Sequence, residues 1–73
     1  MSTQPFYQPE TGLPVELAQP ARRALADAGI QRIEQLIRFS EAEVRQWHGI
    51  GPIALVQLRH ALAAHGLSFG DRR

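Results

Sequence analysis

The chain contains no cysteine, which removes both disulfides and thiolate metal sites and is compatible with a reducing cytoplasm. It also lacks lysine: all eight of its Lys/Arg cations are arginines, at positions 22, 23, 32, 38, 45, 59, 72 and 73. Arginine forms bidentate phosphate contacts better than lysine does, although a coding bias would leave the same signature. An excess of one charge is missing as well, since the net charge of +1 does not by itself announce a polyanionic partner. No apolar run approaches the ~18 residues that cross a bilayer. The opening Met-Ser-Thr-Gln-Pro lacks the basic and then apolar pattern of a secretory signal. These absences predict a soluble cytoplasmic protein with no membrane partner. At 73 residues the chain is one small domain, too small for a deep cleft. The expectation is therefore a binding module, not an enzyme, with no cofactor and no small-molecule substrate.

What is present is ordinary for a folded domain: 44% hydrophobic and 21% charged residues, too apolar for disorder. Residues 1–12 carry Gln, Pro, Thr and Gly without periodicity and predict a flexible arm. Leu13, Val15 and Leu17, interrupted by Pro14, predict a turn or a short 3₁₀ stretch laid on the body. Pro20 suits the first turn of a helix that Gly29 should stop. Ile33, Leu36 and Ile37 are spaced as one face of a short helix over about 32–39. Ser40 followed by Glu43 is a capping box, opening a brief helix that carries Val44 and Trp47 inward and ends at Gly49. The last helix starts at Pro52, runs to about His65 with Gly66 as its stop, and buries Leu55, Leu58 and Leu62. Leu67 and Phe69 should fold back over the open end of the core. No strand is expected. The fold class is all-α, a compact bundle of four to five short helices over residues 13–70, followed by a basic tail at 71–73.

The informative stretch lies between the last two helices. Gly49 can take a positive φ and turn the chain sharply. Ile50 plugs into the core, and Gly51 has no side chain to keep a phosphate off the backbone N–H groups. Pro52 then opens a helix whose first N–H groups are unpaired, an arrangement suited to anions. His48, beside this turn, reads as an exposed turn histidine. His60 and His65 are five residues apart and should not share a face as a metal pair would, so no metal site is expected. Glu41 and Glu43 read as helix-capping acids and not as catalytic ones.

Gly49-Ile50-Gly51-Pro52, with apolar anchors on either side, resembles the helix-hairpin-helix motif. From Leu13 to Phe69 the layout is similar to the C-terminal domain of the bacterial RNA polymerase alpha subunit. The apolar lead-in, the helix ending at Ala28-Gly29-Ile30, the short Ile33-Glu34-Gln35-Leu36 helix, the acid-capped helix and the closing Gly66-Leu67-Ser68 carry that likeness. The resemblance implies a SAM-like helical bundle whose hairpin face binds the DNA backbone while an arginine reads the minor groove. This chain departs from the pattern at three places. The position of the groove-reading arginine falls on Pro20, with Arg22 and Arg23 just behind it. The lysine and the small hydroxyl residue that usually follow the hairpin glycine are Ile53 and Ala54.

Two functions follow from these residues. One is a DNA-binding module, weak and largely indifferent to sequence, using Arg22, Arg23, Gly49, Ile50, Gly51, Ile53 and Arg59. The other is a protein-interaction module on the same scaffold, in which an exposed Ile53 touches a protein partner where DNA would want a cation.

Overall fold

A computed structural model describes residues 11–70. Most of the expected arm and the whole of the basic tail lie outside these residues. The described chain is all-α, with helices α1 (Gln19–Asp27), α2 (Glu41–Arg45) and α3 (Pro52–Ala64) and a 3₁₀ helix, Ile33–Arg38, between α1 and α2. Among the described residues the sole extended pairing is an isolated bridge between Ser40 and Gly70. None of the helices described is long and apolar enough to cross a membrane.

Local chemistry explains each helix end. Pro20 sits in the first turn of α1, where its missing N–H costs nothing. At the other end Gly29 has φ +80°. The Gly29 N–H bonds to the Ala26 carbonyl (3.0 Å) and the Ile30 N–H reaches back to Leu25 (2.8 Å). That pair of bonds is a Schellman closure, and it drops Ile30 into the core. Helix α3 ends the same way, with Gly66 at φ +71°, Gly66 N–H on Ala63 (2.9 Å) and Leu67 N–H on Leu62 (2.8 Å). The Ser40 capping box forms as expected. Ser40 Oγ accepts from the Glu43 N–H at 3.1 Å, and the Glu43 carboxylate accepts from the Ser40 N–H at 2.9 Å.

The segment expected as one helical face is tighter than an α-helix. Three residues per turn put Ile33 and Leu36 directly above one another, and these two are 1% and 0% exposed. Ile37 is rotated about a third of a turn away by the same geometry and is 44% exposed, so the expected three-residue stripe holds for two of its members. The Gln35 side-chain oxygen stabilises the start of this helix by accepting from the N–H groups of Gln31 (2.5 Å) and Arg32 (2.8 Å).

The core is wholly apolar among the described residues. Leu25 from α1, Ile33 and Leu36 from the 3₁₀ helix, and Val44 from α2 meet Leu55, Leu58 and Leu62 from α3. Trp47 is only half-buried; it packs edge-on against Phe39, with ring centroids 5.0 Å apart. Leu67 and Phe69, expected to fold back over the open end of the core, are partly buried and pack against it. The body also begins earlier than expected. Thr11 and Gly12, assigned to the arm, belong to it, because the Thr11 carbonyl accepts from the Ile33 N–H at 2.7 Å. A side chain on Gly12 would collide with Ile33 and His65.

Candidate nucleic-acid interface

The connection between α2 and α3 is built on two glycines with different tasks. Helix α2 stops at Arg45, capped at Gln46, four residues before Gly49 and not at it. The chain turns once more, with the Ile50 N–H on the Trp47 carbonyl at 3.1 Å. Gly49 has φ +100°, and a Cβ there would run into the backbone carbonyl oxygen of Pro20. The turn therefore rides directly on the first turn of α1. Ile50, 8% exposed, anchors the turn from inside and presents nothing to a partner.

Gly51 is under no such compulsion. It is the N-cap of α3 at φ −104° and ψ −177°, an extended conformation open to any residue. A Cβ at this position would meet nothing within 4 Å. The first backbone bond of α3 is Leu55 N–H to the Gly51 carbonyl, 3.0 Å. The N–H groups of Gly51, Ile53 and Ala54 have no acceptor among the described residues, and Pro52 has no N–H. This is a bare helix N-terminus, carrying the positive end of the dipole of a helix of 13 residues.

The arginines around this turn are not equivalent. Arg22 is tied to the chain that precedes α1. Its Nη2 donates to the Val15 carbonyl at 2.6 Å and its Nε to the Leu17 carbonyl at 3.2 Å. Its guanidinium clamps the lead-in onto the helix and is poorly placed to leave it. Arg23 is exposed and lines a groove with Pro20, Asp27, His48 and Gly49 on the α1 side of the turn. Arg59 lines a second groove on the α2 side, together with Glu41, Arg45, Gly51 and Pro52, and forms an ion pair with Glu41. Ile53 is 75% exposed and lies in an apolar groove with Ala18, Pro20, Gly49 and Pro52.

Arg45 escaped the sequence reading. It occupies the last turn of α2, four residues before Gly49, and that spacing was the one available signal that it would flank the turn. The structure thus brings Arg23 beside Gly49, Ile53 beside Gly49 and Gly51, and Arg45 with Arg59 beside Gly51 on the α2 side. His48 is exposed, as expected of a turn histidine. His60 and His65, expected on different faces, both line the wide groove between residues 12–16 and α3. Among the described residues no group of three or more His, Cys, Asp or Glu is placed to hold a metal. Elsewhere, at the start of the 3₁₀ helix, the Arg32 side chain bonds to Glu34 at 2.9 Å and holds that carboxyl below its usual range.

No family model matches the chain. A DNA-directed RNA polymerase subunit alpha from Syntrophus aciditrophicus (strain SB) is 36% identical over 56 residues, which cover 77% of this chain and 16% of that protein. The chain is therefore related to a region of an alpha subunit and spans about a sixth of its length.

Proposed function

We propose that this chain is a small DNA-binding module of helix-hairpin-helix type that grips the phosphate backbone with little regard for base sequence. The observation that carries the reading is Gly51. Neither its φ nor its surroundings require glycine, yet its absent side chain leaves the unpaired N–H groups at the start of α3 open to an anion. Arg45 shares a groove with Gly51 and Pro52, and Arg23 lines the neighbouring groove beside Gly49; each would supply a charge-assisted contact to a phosphate. The likeness to an RNA polymerase alpha subunit supports a place in transcription, on DNA in the cytoplasm and beside protein partners of a transcription complex. Backbone contact of this kind does not read base edges, which is why sequence preference should be slight.

Magnitudes follow from the number of cations. Each neutralised phosphate contributes about −0.9 to the slope of log affinity against log salt. With two or three arginines engaged, the slope should be about −2 to −3 and the dissociation constant about 10⁻⁴ to 10⁻⁶ M near physiological salt. Titrating a labelled duplex at several salt concentrations tests this. Arg23→Ala should weaken binding, and Ile53→Lys should tighten it and steepen the slope by about one unit. Absence of binding by both the wild type and Ile53→Lys at about 50 mM salt would refute the DNA reading.

One observation favours a second reading, a protein-interaction module. Ile53, at 75% exposure, is a large apolar side chain beside Pro20 and Pro52, a surface suited to a protein contact. On that reading Ile53→Lys abolishes a protein association, and duplex binding is absent at every salt concentration.

A further inference from the structure

We infer that Glu41 sets the strength of the phosphate-binding face by holding Arg59 away from an incoming phosphate; the inference rests on the DNA-backbone reading. Arg59 lies seven residues beyond Pro52, almost two full turns of α3, so it emerges on the same side of the helix as Pro52. Both residues line the groove that includes Gly51 and Arg45. A phosphate at the bare N-terminus of α3 is therefore within the field of Arg59. The Arg59 guanidinium, however, donates to the Glu41 carboxylate. Glu41 is the first residue of α2, where the helix dipole favours a negative charge, and Ser40 fixes the start of that helix through its capping bond. The carboxylate is thus presented at a defined place.

Arg23 and Arg45, by contrast, have no acidic partner among the described residues. The face therefore offers two cations at once and a third only when phosphate displaces Glu41. The Arg59 and Glu41 side chains are 54% and 38% exposed, so solvent screens the pair and the hold is a matter of a few-fold. Displacement is feasible, but losing the pair offsets part of the phosphate contact. The pair therefore lowers affinity and leaves Arg59 out of the salt dependence.

The test is a double-mutant cycle read by fluorescence anisotropy of a labelled duplex over a range of salt, using wild type, Glu41→Gln, Arg59→Gln and the double variant. Circular dichroism confirms that each is folded, and Arg59→Met provides a second background of similar side-chain length. Glu41→Gln should tighten binding about 3-fold at low salt and steepen the slope by about 0.9. In either Arg59 background the same change should have no effect. A gain that persists without Arg59 overturns the inference, because Glu41 would then be acting through general charge alone. Binding that weakens on Arg23→Ala yet ignores Glu41→Gln overturns the inference and leaves the DNA reading intact. Failure of both wild type and Glu41→Gln to bind at the lowest salt overturns the two together.

Discussion

Replacing Gly49 with alanine sets two penalties against a small total stability. A non-glycine residue held at φ +100° costs about 1–3 kcal/mol. The added Cβ must also push away the carbonyl oxygen of Pro20, which belongs to the first turn of α1 and cannot rotate aside as a side chain would. Overpacking of that kind adds about 1–3 kcal/mol. A loss of about 3 kcal/mol or more is therefore expected, against a total of about 4–11 kcal/mol for a chain of this length. With a urea dependence of about 1 kcal/mol per molar, the unfolding midpoint should fall by about 3 M, or the variant should be unfolded without denaturant. The single tryptophan, Trp47, half-buried against Phe39, reports the transition by fluorescence, with circular dichroism as a second probe. Gly51→Ala is the internal control. Alanine is a poorer N-cap than glycine but restricts the unfolded chain, so the net change should stay within about 0.5 kcal/mol. On the DNA reading that variant should nonetheless bind duplex more weakly, since its methyl group would crowd a phosphate drawn to the Gly51 N–H. A Gly49→Ala protein that unfolds with the wild-type midpoint would show that the turn does not press on α1, and the packing argument would fail.

Other consequences can be measured on the same samples. Leu58→Ala, at a position with 0% exposure, should cost about 2–4 kcal/mol, whereas Ile37→Ala, 44% exposed, should cost less than about 1 kcal/mol; similar losses for the two would contradict the 3₁₀ register. Arg22→Ala should lower the unfolding midpoint by releasing the Val15 and Leu17 carbonyls while changing duplex affinity less than Arg23→Ala does, and the reverse ranking would show that Arg22 is the DNA contact. The Glu34 carboxyl should titrate below the ordinary glutamate value of about 4.3 because the Arg32 side chain bonds to its charged form. A carboxyl pKa depressed by folding adds stability above the unfolded value that disappears as pH falls through the folded one. Arg32→Gln should therefore raise the Glu34 midpoint followed by NMR, and an unchanged midpoint would remove Arg32 as the cause.

Much of this fold is legible where a short-range rule acts. Ser40 and Glu43, three residues apart, announce a capping box; Gly29, Gly49 and Gly66 mark left-handed turns; and Leu55, Leu58 and Leu62 mark a buried stripe. Spacing alone does not separate a 3.6-residue period from a 3.0-residue one over six residues, and that is why Ile37 reads as buried. The functional face is harder to read because its arginines are sorted by contacts that span the chain. Arg22 is claimed by carbonyls five and seven residues before it, and Arg59 by an acid eighteen residues before it. No local pattern encodes either partnership. Arg45 was hidden for the opposite reason: an exposed cation in the last turn of a helix already has a sufficient explanation in the helix dipole.

The 3₁₀ helix has a mechanical consequence. Its first residue, Ile33, is bonded to Thr11, and the residue just after its end, Phe39, accepts from Gly70. A pull applied at residues 11 and 70 is thus delivered first to hydrogen bonds at opposite ends of one short rod, backed by Leu13, Leu67 and Phe69 on the core and by the Arg22 clamp on α1. The end segments should therefore come away before the glycine turn and α3 lose their shape. Residues tethered on either side could then tug on the domain without disturbing the face that the turn presents.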